Sequence, residues 1–121
     1  MKSIFDRIAI IGIVSIGASI AQSVKENKIA KEVVGFFRRE KALKEALKDK
    51  IVDQGYLDLE SAVKGADFII LAVPVYEIIK IAELIKDFIP QNTLITDIGS
   101  TKLQIVKKLS KIYPNYIGAH P

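Results

Sequence analysis

Three places in the chain carry residue types that could do chemistry. The first is Gly12-Ile13-Val14-Ser15-Ile16-Gly17, which follows an isoleucine-rich run and precedes an amphipathic stretch. A turn between strand and helix is where a G-x-G-x-x-G phosphate loop belongs. Gly12 can make the tight turn and Gly17 can let the helix pack closely. The amides opening the helix, around Ser15 and Ile16, then offer N–H groups and partial positive charge to a pyrophosphate. The middle position holds Val14, a β-branched residue where the backbone should approach phosphate without a side chain. The loop alone leaves two readings open: a crowded nucleotide seat, or a plain turn between strand and helix.

The second place is Gly35-Phe36-Phe37-Arg38-Arg39. An acid about twenty residues beyond a phosphate loop commonly holds the adenosine ribose hydroxyls. Phe37 stands at that position, and two arginines follow. Loss of the acid with gain of arginine is the pattern that accommodates a 2′-phosphate, so NADP is expected slightly ahead of NAD. The alternative is that Arg38 and Arg39 start a helix and face water. The third place pairs Ser100 with His120. Taken singly, Ser100 is an ordinary helix N-cap and His120 a strand-end histidine. Asp97 and Lys102 could form a salt bridge across the same turn, or serve the site; the residues leave that open.

The elements that must position these groups alternate. Strands are expected at Arg7–Ile13, Glu32–Phe37, Asp67–Val73, Thr93–Ile98 and Tyr116–Ala119. Helices are expected at Ile16–Glu26, Arg39–Lys48, Asp58–Lys64, Val75–Phe88 and Thr101–Ile112. The stripes are Ile16, Ile20, Ala21 and Val24 in the first helix, Leu43 and Leu47 in the second, and Ile78, Ile81, Ala82, Ile85 and Phe88 in the fourth. Asp67–Val73 is apolar almost throughout, as a strand buried on both faces must be. Alternation of strand and helix implies crossovers and an α/β fold, a doubly wound, mainly parallel sheet with its ligand at the strands' carboxyl ends. Residues 1–121 read as one dinucleotide-binding domain.

Composition narrows the class. The net charge is +4, with lysines at helical spacing rather than in an aromatic-studded basic patch, so no nucleic-acid partner is expected. With no cysteine and one histidine, no metal site is expected. Ile8–Ala21 is uncharged and imitates a signal peptide. Asp6 in the leader and glycines within the run argue against that, and the run is too short to span a bilayer. Removing it would also delete the first strand, so a cytoplasmic protein with no membrane partner is expected.

Several segments together resemble the prephenate and arogenate dehydrogenase family. They are Glu32-Val33-Val34-Gly35-Phe36, Ala66-Asp67, Leu71-Ala72-Val73-Pro74-Val75, Thr96-Asp97-Ile98-Gly99-Ser100-Thr101-Lys102 and Gly118-Ala119-His120-Pro121. The resemblance implies a Rossmann-type domain that binds NAD or NADP for oxidative decarboxylation of prephenate or arogenate in tyrosine biosynthesis. It implies His120 as the catalytic group that takes the substrate hydroxyl's proton, and Ser100 as the group that orients that hydroxyl and the nicotinamide. A neutral imidazole suits that proton transfer near neutral pH. Val73, Pro74 and Gly99, at later strand ends, join Gly12, Val14, Ser15, Ile16, Gly17, Phe37, Arg38 and Arg39 as expected cofactor-binding residues. Family members continue beyond the His-Pro pair into a helical domain that forms a homodimer and completes the substrate site. The 121 residues alone are therefore not expected to turn substrate over. The competing expectations are a degenerate, non-catalytic Rossmann module and a domain of another β-hydroxyacid-type dehydrogenase.

Overall fold

A computed structural model of the chain describes residues 3–12, 15–90, 92–98 and 109–118. The elements run β1 (Phe5–Ile11), α1 (Ser15–Glu26), β2 (Ala30–Phe36), α2 (Glu40–Lys48), β3 (Gln54–Tyr56), α3 (Leu59–Val63), β4 (Phe68–Leu71), α4 (Val75–Ile85), a 3-10 turn at Lys86–Phe88, β5 (Leu94–Asp97) and β6 (Tyr116–Gly118). Residues 109–112 are also helical. The six strands lie in the order β3-β2-β1-β4-β5-β6, and every neighbouring pair is parallel. The chain builds outward from β1 to β3, then returns to lay β4 on the other side of β1. This is the doubly wound arrangement, and its reversal between β1 and β4 opens a crevice at their carboxyl ends.

Two apolar layers hold the sheet. Ala9, Ile11, Val34, Ile69 and Leu71 face one way and pack with Ile78, Ile81, Ala82 and Ile85 of α4. Ile8, Ile10, Val33 and Ile70 face the other way and pack with Ala21 and Val24 of α1 and Ala46 of α2. Successive strand residues enter opposite layers, so a strand buried on both sides must be apolar at every position. Each fully buried isoleucine contributes about 1.5–3 kcal/mol through removal of its surface from water.

At the amino edge the sheet is tied by polar groups. The Asp6 and Arg7 amides donate to the Asp67 carboxylate at 2.9 and 2.8 Å. The Arg7 guanidinium donates to the Lys64 carbonyl at 2.7 Å and lies 3.2 Å from Glu32. These bonds tie the amino edge together; the reversal that opens the crevice lies at the carboxyl edge.

The observed bounds correct several expectations. β1 ends at Ile11 rather than Ile13, because Gly12 takes φ +97° and turns the chain out of the sheet. β3 was not expected at all: Gln54-Gly55-Tyr56 is short and contains no β-branched residue. Phe88 leaves the α4 stripe and is 43% exposed, because the helix tightens into the 3-10 turn after Ile85 and rotates the following side chains. In α2 the buried position is Ala46, while Leu47 turns outward. The expected helix at 101–112 falls mostly outside the described residues.

Candidate functional site

The crevice is built from the turns that end β1, β2 and β4. Gly12 leaves β1 in the left-handed region, where only glycine is unstrained. A Cβ there would stand 2.5 Å from the Ala72 carbonyl oxygen and 2.8 Å from Val73 Cγ1. A Cβ on Gly17, in the first turn of α1, would stand 2.3 Å from the Gly12 carbonyl oxygen. Both glycines therefore permit backbone contact that any other residue blocks. They let the first turn of α1 sit directly on the β1 turn, which puts the helix N-terminus at the strands' carboxyl ends. The Ala72 amide also donates to the Ile11 carbonyl at 2.8 Å, stitching the β4 tip to the β1 tip.

Between these turns lies a cavity of about 340 Å³. Gly12, Ala72, Val73 and Pro74 form one wall, Phe36, Phe37 and Ala42 the other, and Arg38, Arg39 and Glu77 supply its charge. An apolar slot bordered by guanidinium groups suits a flat heteroaromatic ring linked to phosphates.

The structure thus brings together Gly12, Phe37, Arg38, Arg39, Val73 and Pro74 from the expected cofactor residues, with Gly17 supporting the turn beneath them. Ser15 and Ile16 open α1, as expected. Val14, Gly99, Ser100, Lys102 and His120 lie outside the described residues.

Phe37 is 3% exposed and belongs to the core layer under α2. Its amide donates to the Tyr56 carbonyl at 2.8 Å, which fixes the β2 tip to β3. The tip thus buries a ring where an acid would present an acceptor. Arg38 does not simply face water. It forms a hydrogen-bonded ion pair with Glu77 in the first turn of α4. Arg39 holds the N-cap position of α2 in extended conformation, without a side-chain capping bond, and is exposed. For Arg39 the helix-start alternative describes the geometry, although the residue also lines the cavity.

Sequence reasoning missed Phe36, Ala42, Ala72 and Glu77 as lining residues. Glu77 by itself reads as an acid placed to favour a helix N-terminus. Its pairing with Arg38, 39 residues earlier, has no local signal.

A second group of residues stands further along the same edge. β5 and β6 end side by side, with Asp97 opposite Gly118. Asp97 is fully buried and accepts a hydrogen bond from the Tyr116 hydroxyl. Burial first, and the Asp97 carboxylate second, push that hydroxyl well above its ordinary pKa. The Thr96 hydroxyl donates to the Ile117 carbonyl. These bonds fix the strand ends from which the segments bearing Ser100 and His120 depart. Among the described residues, no cluster of His, Asp or Glu could hold a metal ion, and no helix is long and apolar enough to cross a membrane.

Comparison with known proteins agrees with this geometry. The family model described as "Prephenate dehydrogenase, nucleotide-binding domain" matches residues 20–121. Prephenate dehydrogenase of Bacillus subtilis is 33% identical over 125 residues, covering 100% of this chain and 34% of that protein. A crystal structure of Synechocystis arogenate dehydrogenase superposes with a TM-score of 0.88 at 26% identity, covering 95% of this chain and 40% of that one. A crystal structure of A. aeolicus prephenate dehydrogenase, in complex with hydroxyphenyl propionate and NAD+, gives 0.87 at 25% identity, covering 96% and 41%. The chain spans about a third of the length of the Bacillus relative.

Proposed function

The chain belongs to the family of prephenate dehydrogenase nucleotide-binding domains, and from that premise we propose that it seats NAD or NADP for the oxidative decarboxylation of prephenate or arogenate. The observation that carries the reading is the cavity at the β1–β4 reversal, apolar on both walls and bordered by Arg38 and Arg39. The NAD+ complex of the A. aeolicus relative supports it.

Each part of the seat has a task. The apolar walls hold the adenine and exclude water from it. The amides opening α1 face the pyrophosphate. Arg39, exposed and free of a capping bond, joins Arg38 in favouring a 2′-phosphate, so NADP is proposed as the slightly better ligand. When bound, the cofactor would supply the hydride acceptor for the ring carbon that bears the substrate hydroxyl. His120 takes the hydroxyl proton and Ser100 orients that hydroxyl. Loss of carbon dioxide from the opposite carbon then leaves an aromatic ring. The adjacent ends of β5 and β6 support this pairing, because they launch the two segments from neighbouring strands. The longer protein is proposed to complete the substrate site with a helical domain and to act as a homodimer.

The test has two stages. Titration of the 121-residue chain with NADP and NAD should show saturable binding of both, and replacing Arg38 and Arg39 by glutamine should narrow the gap between them. A longer natural form should reduce cofactor in the presence of prephenate or arogenate, and His120→Ala should abolish that turnover. A longer form that binds cofactor but leaves both substrates untouched would favour a non-catalytic module. The buried ring of Phe37, which removes the usual ribose acceptor, is the observation on that side.

A further inference from the structure

The charge on the cavity is not the two arginines alone. Arg38 extends from the tip of β2, Glu77 projects from the first turn of α4, and their ion pair spans the mouth between the two walls. We propose that Glu77 is a specificity-determining residue of the cofactor seat: by holding Arg38 it restrains the grip on an adenosine 2′-phosphate. The proposal rests on the nucleotide-binding reading above and deepens it.

The argument follows from which polar groups remain at the β2 tip. In this fold the end of β2 is where the adenosine ribose is recognised. Phe37 is turned into the core and offers nothing polar, so recognition there falls to Arg38 and Arg39. A guanidinium binds phosphate best through two parallel N–H bonds from one edge, the same geometry it uses for a carboxylate. Glu77 already accepts from a terminal nitrogen of Arg38, so a 2′-phosphate must share the guanidinium with the carboxylate, or displace it to use the same edge. The Glu77 side chain is 24% exposed against 63% for Arg38. The carboxylate is thus the more embedded partner, and it remains near any phosphate that approaches. Two like charges there oppose each other. A cofactor carrying a 2′-hydroxyl meets neither obstacle and can donate to the same carboxylate. Exposed ion pairs are individually weak, so Glu77 shifts a ratio of affinities rather than forbidding one cofactor.

Calorimetric titration with NADP and NAD tests this on the parent chain and on Glu77→Gln, Glu77→Lys, Arg38→Gln and the Glu77→Gln/Arg38→Gln pair. Glu77→Gln should raise the NADP-to-NAD affinity ratio on the order of tenfold, the worth of one charge-assisted hydrogen bond regained. Glu77→Lys should raise it further. Most of the gain should disappear in the Arg38→Gln background, leaving only the smaller part that comes from repulsion. A ratio unchanged by Glu77→Gln and Glu77→Lys, with both cofactors still bound, overturns the proposal and leaves the nucleotide-binding reading standing. The same gain with or without Arg38 also overturns it, because the carboxylate would then act by repulsion alone. Failure of the parent chain to bind either cofactor overturns the underlying reading and this proposal with it.

Discussion

Gly17→Ala sets two effects against each other, and the structure decides the sign. Position 17 lies in the first turn of α1, with no positive φ to strain. Helix propensity therefore favours alanine by up to about 1 kcal/mol. Against that, the new Cβ would stand 2.3 Å from the Gly12 carbonyl oxygen. Carbon and oxygen seldom approach within about 3 Å outside a bond, and even a weak C–H···O contact needs roughly 3.3 Å. The start of α1 must therefore lift by about 1 Å, or the Gly12 turn must retreat. Gly12 has little room to do so, since it is packed against Ala72 and Val73. Overpacking of this kind costs about 1–3 kcal/mol, so the net expectation is a loss of about 1–2 kcal/mol. For a domain of this size that lowers Tm by several degrees, on the order of 5 °C. The same displacement carries the α1 amides off the phosphate position, so affinity for NAD or NADP should fall at least about tenfold, a further 1.4 kcal/mol. Urea unfolding and calorimetric titration on the same preparation check both numbers. An alanine variant that is as stable as the parent, or more so, and binds cofactor equally well would refute the steric argument.

Two further outcomes are expected. Val14→Gly should tighten dinucleotide binding by about fivefold, close to 1 kcal/mol, because it restores the glycine at which a G-x-G-x-x-G loop lets phosphate approach the backbone; calorimetry showing equal or weaker binding would remove that argument. Tyr113→Phe should cost about 1 kcal/mol at pH 7, because the buried Tyr113 hydroxyl donates to the Ala82 carbonyl of α4. Burial, then the charge of Asp87, lifts that hydroxyl's pKa above its ordinary 10. The unfolded chain therefore ionises first as pH rises past 10, and stability present below that point is lost above it. The Tyr113→Phe chain should lose less stability across that range, as read from urea midpoints between pH 8 and 11; parallel losses in the two chains would show that Tyr113 has no part in the alkaline limb.

The parts of the fold legible in the sequence are those whose physics is local or periodic. Phe68-Ile69-Ile70-Leu71 reads as a central strand because both of its faces are buried, and no polar residue survives there. Ile78, Ile81, Ala82 and Ile85 read as one helix face because they recur at helical spacing. Gln54-Gly55-Tyr56 could not be read, because its pairing with Val34, Gly35 and Phe36 comes from the edge of β2 and not from its own residues. At the site, Gly12 and Gly17 announced themselves by type and spacing, and the contacts at both positions have the form that glycine requires. Phe37 was legible as a departure from the usual acid, but not as a ring buried beneath α2. In the sequence Arg38 reads either as a partner for a 2′-phosphate or as a helix start facing water, and neither reading includes a carboxylate. The ion-pair partner of Arg38, Glu77, lies on the far side of the reversal between β1 and β4, a proximity that only the strand order creates.

The Ala72 amide's bond to the Ile11 carbonyl, with no room for a Cβ at Gly12, joins the two turns of the proposed cofactor seat. One end begins in the β1 turn and the other is walled by the β4 turn, and the space between the two backbones is too narrow for a side chain at position 12. A displacement of Pro74 or α4 would therefore be transmitted to Gly12. A seat joined in this way is preorganised: ligand entry there requires little backbone ordering, and less of the binding free energy is lost to it. In the proposed seat, any difference between cofactors then falls to the exposed or charged side chains that line it, Arg38, Arg39 and Glu77, rather than to the backbone between the two turns.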